Sequence, residues 1–291
     1  MTSPYSVHGQ LPSLDRPVLV VMLGGWIDAG GAAAAAMGTI EEHCNMAPLA
    51  TFDSDSFIDY RARRPIMELR EGVNARLVWS EIEMKVGTDE NKNPIITLSG
   101  PEPDSRWKAF AAAVGELSAR LGVHQMVALG AYPFATPHSR PSRLSSSSPS
   151  ADVVANVPYL KSSVDVPAGV SAVLEHALTE AGIASLGIWV QVPHYVSAMS
   201  YPAASVALLE GLREVTGIVV PVGSLAREAD IHKARIDQLV SGNEEHTAMV
   251  RQLEAAYDTV VEQTLSLGST DIPSGDELAA EFERFLRDQD G

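Results

Sequence analysis

The chain has 291 residues, 45% of them hydrophobic, enough for one large α/β domain or one domain with an appendage. Its 37 acidic side chains against 21 basic ones leave a formal charge of −16, a field that repels nucleic-acid backbones and anionic membranes. A single cysteine, Cys44, excludes a disulfide framework and a cysteine-rich zinc site, and fits a reducing compartment.

The opening segment, "MTSPYSVHGQLPSLDRP", lacks a basic stretch followed by an apolar one, and no apolar run nears the roughly 20 residues of a membrane span. The expected location is the cytoplasm. "PVLVVML" (17–23) predicts the first strand. "GGWIDAGGAAAAA" follows it and leads into a small-faced helix over 31–44. "YRARRP" (60–65), the densest basic patch, reads as a solvated face. "ARLVWSEI" (75–82) and "PIITLS" (94–99), joined by the polar tip "GTDENKN", predict an antiparallel hairpin.

A helix over 104–121 then precedes the strand "QMVALGAY" (125–132) and the loop "AYPFATPHSRPSRL". The serine run in "RLSSSSPSADVV" reads as a mobile surface loop. Helix 169–181, strand "LGIWVQV" (186–192), loop "VPHYVSAMSYPAA", helix 201–215 and strand "GIVVPV" (217–222) complete the alternation. Most strand runs are continuously apolar, as in strands covered on both faces. The fold class expected is α/β: a three-layer α/β/α sandwich with a mixed, largely parallel sheet.

From about Arg227 the chain reads as helix without strands. Met249, Leu253, Tyr257 and Val260 or Val261 form one stripe. "STDIP" breaks it, and Ser274 with Glu277 forms a capping box before a last helix with Leu278, Phe282 and Phe285 on its apolar face. The domains expected are 1–226, the sandwich, and 227–291, a helical subdomain.

The glycine turn carries neither common nucleotide motif. Gly25 and Gly30 have P-loop spacing, but Gly31 and Ala32 stand where Lys and Ser/Thr are needed. The G-x-G-x-x-G pattern is absent too. Asp28 suits a helix N-cap, which fills the positive helix end that a phosphate would take. It also suits a role in a cleft, and that alternative stays open.

If the strands before the two Pro/His-rich loops run parallel to the first, all three loops emerge at the carboxyl edge of the sheet, where open α/β sheets hold ligands. Asp28, His138, Arg140, His194 and Tyr195 would then share one crevice. Arg140 suits a bidentate anion contact, and His138 or His194 suits proton transfer. No G-x-S-x-G elbow and no His/carboxylate metal spacing accompanies them, so neither a catalytic residue nor a metal site is assigned.

"GWIDAG" after the first strand, then "PHSRP", then "VPHYV" with "YPAA" downstream, resembles the proteasome assembly chaperone 2 family, especially its bacterial, actinobacterial-type members. The likeness spans about 17–222. Its signature turn maps onto Gly25, Trp26, Asp28 and Gly30; Ser139 stands where the family pattern has Thr. The resemblance implies a fold similar to nucleoside phosphorylases and peptidyl hydrolases, no cofactor, and a chaperone role. Eukaryotic and archaeal relatives help assemble the proteasome α-ring, so proteasome subunits are candidate partners. Relatives that dock on the proteasome end in a hydrophobic-Tyr-X tail, whereas this chain ends "LRDQDG", which argues against docking by that route.

Two functions are carried forward. One is a non-catalytic, self-associating binding or chaperone-like protein. The other is an enzyme or small-molecule binder holding an anionic ligand in the crevice. The alanine-rich helix and the tail stripes motivate a homo-oligomer, with a trimer as the candidate state.

Overall fold

In the computed structural model, which describes residues 3–266, one eight-stranded sheet organises the chain. Its strands are β1 (Tyr5–Val7), β2 (Val18–Gly24), β3 (Ala47–Phe52), β6 (Glu83–Thr88), β7 (Pro94–Pro101), β8 (Gln125–Phe134), β9 (Leu144–Ser147) and β10 (Ala184–Pro193), in the order β1-β3-β6-β7-β2-β8-β10-β9. The four central strands β7, β2, β8 and β10 are parallel to one another, and the flanking pairs are antiparallel. Strands β4 (Ile66–Arg70) and β5 (Val73–Val78) pair only with each other.

The alternation of β2 shows why both faces are covered. Leu19, Val21 and Leu23 point into one core with Phe110, Val114 and Leu117 of α3 (Trp107–Arg120) and Leu174 and Leu178 of α5 (Val170–Glu180). Val18 and Val20 point into the other, with Ala33, Ala36 and Ile40 of α1 (Ala32–His43) and Leu208 and Leu212 of α6 (Pro202–Thr216). Full burial of each large apolar side chain contributes about 1.5–3 kcal/mol, so two cores of this size define the sandwich. Pro202 opens α6 and Gly217, at φ 76°, ends it. Short helices α2 (Ser54–Phe57) and α4 (Ala151–Ala155) fill connections. Beyond the sandwich, α7 (Leu225–Ser241) packs on α6, and α8 (Glu244–Ser266) packs on α7.

The structure departs from the sequence reading at several places. "GIVVPV" is not a strand. Asp89, buried in the polar hairpin tip, accepts the Val219 N–H at 2.9 Å and the Glu90 N–H points back at the Val219 carbonyl, so the segment is tied to the tip rather than to a sheet edge. The serine run is not a free loop: β9 pairs with β10, Ser148 Oγ donates to the Ser185 carbonyl at 2.6 Å, and Ser150 caps α4. The β6–β7 hairpin exists, but its first strand is 83–88. Residues 73–78 belong to the separate β4–β5 ribbon. Within "YRARRP", Arg63 pairs with Asp104 at 3.1 Å and is not simply solvated. The small face of α1 packs on α6, and Val250 of α8 is buried within the same chain while Met249, Leu253, Tyr257, Val260 and Val261 of its stripe are half-buried. The capping box at Ser274, its apolar face and the chain's last residues lie outside the described residues.

One buried carboxyl stands out. Glu175 of α5 lies over the flat floor of Gly187, where a Cβ would sit 2.6 Å from Oε1, and its only side-chain hydrogen-bond partner among the described residues is Ser147 Oγ at 3.3 Å. Burial pushes its pKa up to about 7, against the pull of that one hydroxyl. The folded state therefore holds the proton more tightly than the unfolded chain, with its ordinary 4.5. The resulting stability is complete below pH 4.5 and is lost as pH rises through 7. Unfolding free energy should fall by roughly 2–3 kcal/mol between pH 5 and 8. Glu175→Gln should remove most of that slope in urea melts; an equal slope in the variant would place its origin elsewhere.

Candidate functional site

Because β2, β8 and β10 are parallel, the connections 25–31, 135–143 and 194–201 leave the same edge of the sheet. The first and third are stitched together. The Gly30 N–H donates to the Ser197 carbonyl at 2.7 Å, and the Tyr201 N–H donates to the Gly30 carbonyl at 3.1 Å. Gly30 has φ 66°, and a Cβ there would lie 2.8 Å from Cβ of Tyr201, so glycine is required on both counts. Asp28 sits beside β8 through a bridge to Ala131. Its two carboxylate oxygens accept the N–H groups of Ala33 and Ala34, at 2.8 and 3.0 Å. The helix end that could take an anion is thus filled from within the turn.

The second loop is held by the C-terminal helices. His138 is buried between Tyr195 and α7. The Tyr195 hydroxyl accepts the His138 backbone N–H at 2.8 Å and lies 2.6 Å from Nδ1. Nε2 donates to Asp237 Oδ1 of α7 at 3.0 Å, since a carboxylate oxygen only accepts. Burial pushes the Tyr195 hydroxyl up to about 12, while hydrogen bonds from Lys233, first, and His138 hold Asp237 below the usual carboxylate range.

Arg140 is bound more completely. Its Nε and Nη2 donate to the two carboxylate oxygens of Asp258 at 2.8 and 2.7 Å, and Nη1 donates to Glu254 at 3.3 Å. The fork on Asp258 keeps the guanidinium charged and pulls Asp258 downward. Ser139 Oγ also donates to Glu254, the Tyr257 hydroxyl donates to the Pro141 carbonyl at 3.1 Å, and Arg143 lies over the Tyr257 ring at 5.2 Å. His194 stands apart: it is exposed, with its ring edge-on to Tyr195 at 5.4 Å.

The structure brings His138, Tyr195 and Arg140 into one neighbourhood, and it leaves Asp28 and His194 with separate tasks. Sequence reasoning missed the partners Asp237, Glu254, Tyr257 and Asp258. One signal was available: Glu254 and Asp258 stand four residues apart on one helix, a like-charge pair that destabilises a helix unless a cation bridges it. Arg140 is that cation.

A groove of about 460 Å³ opens beside this clasp, between loop 138–142, α6 and α7. His138, Arg140 and Tyr201 line one side, with Val206, Asp230 and Lys233 among the others. Asp28, His194 and Tyr195 do not line it. Among the described residues no group of three His, Cys, Asp or Glu is placed to hold a metal, and no helix is long and apolar enough to cross a membrane.

Four large apolar side chains are exposed at the carboxyl edge, alongside His194. Trp26 is 50% exposed, Ile27 37%, Phe134 46% and Met199 38%. Trp26 rests against Gly169, beside Glu102, whose carboxylate accepts the Val170 N–H.

Residues 22–240 match the profile of the PAC2 family. The chain belongs to the PAC2 family. Comparable solved structures include a Corynebacterium glutamicum protein of unknown function, 31% identical, with a TM-score of 0.83 over 90% of this chain and 99% of that one. A Mycobacterium tuberculosis protein of unknown function is 32% identical, with a TM-score of 0.82 over 91% and 92% of the two chains. A Mycobacterium tuberculosis proteasome-assembly chaperone homologue is 29% identical, with a TM-score of 0.74 over 80% of this chain and 99% of that one. No protein of curated function matches the chain. The α/β architecture is that of PAC2 structures, a family related to proteasome assembly chaperones.

The clasp predicts its own failure. Both Asp237 and Asp258 are depressed, so their bonds are intact above the ordinary carboxylate value of 3.8 and are lost as pH falls through the lower folded values. Arg140→Ala should accelerate amide exchange over 244–262 by roughly tenfold or more while the sheet amides keep their protection. Arg140→Lys should restore only part of it, because an ammonium cannot fork across a carboxylate. Undiminished protection of α8 in Arg140→Ala would refute the clasp.

Proposed function

We propose that this PAC2 protein is a non-catalytic, self-associating binding protein with a chaperone-like role toward proteasome subunits, working in the cytoplasm. One observation carries the reading. Two side chains suited to chemistry at the carboxyl edge, His138 and Arg140, are spent on α7 and α8, whereas the large side chains exposed there, besides His194, are Trp26, Ile27, Phe134 and Met199. Large exposed apolar and aromatic groups along one edge suit a protein partner better than a reacting small molecule. The named role of the Mycobacterium tuberculosis homologue supplies the class of partner.

A second reading is favoured by the groove beside the clasp. Its volume suits a small ligand, and Lys233 with Arg140 at its margin would suit an anionic one. The ligand would have to compete with Asp258 for Arg140 or bind without it.

Native mass spectrometry of protein purified gently from its own cells, repeated after denaturation, separates the two. The expected result is a homo-oligomer, alone or with proteasome subunits, and no small molecule released on denaturation. Trp26→Ala with Phe134→Ala should weaken partner binding by roughly thirtyfold or more, as expected for aromatic anchors worth about 2 kcal/mol or above. A stoichiometric small molecule, lost when Lys233 and His232 are replaced by alanine, would overturn the binding-protein reading in favour of the groove.

A further inference from the structure

We propose that residues 161–168 are a docking strand, to which a protein partner adds an extended segment with alternating small apolar side chains and a basic one opposite Asp165. The proposal rests on the binding-protein reading above and specifies the kind of segment such a partner presents. The fourteen residues 156–169 join α4 to α5 without an element of their own, and connections of about 12–15 such residues are uncommon and most often functional. From Lys161 to Ala168 every residue is exposed and the chain makes neither turn nor bend. None of these eight residues forms a hydrogen bond or ion pair among the described residues. Val164 and Val166 are 68% and 67% exposed.

Both ends of this strap are fixed. At one, the Leu160 N–H donates to the Leu144 carbonyl at 3.0 Å and the Tyr159 hydroxyl donates to Glu214 at 2.8 Å. At the other, Gly169 lies against the Trp26 indole and the Val170 N–H donates to Glu102. The anchors stand three strands apart in the sheet, at β9 and at the turn after β2. Sequence favours an extended chain between them. Val164 and Val166 are β-branched, and Val166 precedes Pro167, which disfavours the helical region. An extended segment held at both ends, with its backbone unpaired, is a template for another strand.

Alternation decides which edge is used. Successive residues of a strand send their N–H and C=O groups to opposite sides, so Ser162, Val164 and Val166 share one edge and Ser163, Asp165 and Pro167 the other. Pro167 has no N–H, which breaks the second edge and leaves the first complete. The side chains of Val164 and Val166 leave the strand on one face and Asp165 on the opposite one. An added strand in register sets small apolar groups against the valines and a cation against Asp165, whose charge is otherwise unpaired among the described residues. The chain's formal charge of −16 draws in the same cation. A second copy fits badly, because pairing that faces both valines with valines also faces Asp165 with Asp165.

Amide exchange read by NMR on the isotope-labelled full chain tests this, with the acetylated and amidated peptide Thr-Val-Arg-Val-Thr as the probe. At millimolar probe the Val164 and Val166 amides should exchange more slowly by roughly tenfold or more, while Ser163 and Asp165 keep their free-chain rates. The same peptide methylated on its valine nitrogens carries the same charge and should protect neither. Asp165→Lys should weaken the unmethylated probe by roughly threefold or more. Val164→Pro should abolish its binding and leave the thermal melt unchanged, since the Val164 N–H has no partner among the described residues. Absence of protection, equal protection by the methylated peptide, or protection at Ser163 and Asp165 instead would overturn the docking strand. So would protection in the free chain that grows with protein concentration, which would give the strap to a second copy. A protein partner held as tightly by Val164→Pro as by the wild type would overturn the strap alone. A chain that carries no protein partner in the native mass measurement would overturn the binding-protein reading and this proposal with it.

Discussion

Arg140 sits in a loop between two strands of the sheet, and three of its nitrogens face carboxylates on α8. Without that guanidinium, Glu254 and Asp258 would repel each other along one helix face, and α8 would keep only its apolar contacts and the weaker ties of Ser139, Pro141 and Arg143. The main described burial on its stripe is Val250, with Leu253 and Tyr257 only half covered. A shared, bidentate cation therefore holds together what a modest apolar face would hold weakly. His138 does the same for α7 through Asp237. Together they turn a loop that has the composition of a reaction centre into the anchor of the helical appendage. The groove beside it inherits its walls from that anchoring, since loop 138–142 forms one side and α7 another.

The glycine turn after β2 follows the same logic of internal satisfaction. Strand, glycines and helix N-terminus are the usual parts of a phosphate cradle. Here the two amides that would serve a phosphate already serve Asp28, and Gly30 exists to let Tyr201 approach. The polar demands of Asp28, His138 and Arg140 are met within the chain. Trp26 and the other apolar groups at the edge remain outward, where their unmet demand is to leave water.

How much of this was legible in the sequence follows from burial. β2, β7, β8 and β10 are covered on both faces, so each is a continuous apolar run and each was found, together with α1, α3, α5 and α6. β1, β3 and β9 lie at or near the edges, are short, and carry Pro, Ser or Thr, so periodicity had little to register. "GIVVPV" had the composition of a strand and lost to a single buried Asp89 that claims its backbone. The three loops were correctly brought to one edge, because parallel strands leave no alternative. Their partners were not found. Asp237 and Asp258 lie about 100 and 118 residues beyond the side chains they bind, and no local pattern spans that distance.

The apolar display at the carboxyl edge and the β4–β5 ribbon, whose Met67, Leu69 and Leu77 are also exposed, meet at Arg63. Its guanidinium occupies the space beside Gly25, next to Trp26 in sequence, while its carboxylate partner Asp104 also accepts the Asp59 N–H. The base of the ribbon and the base of the tryptophan turn are thus braced by one ion pair, with both partners less than a third exposed.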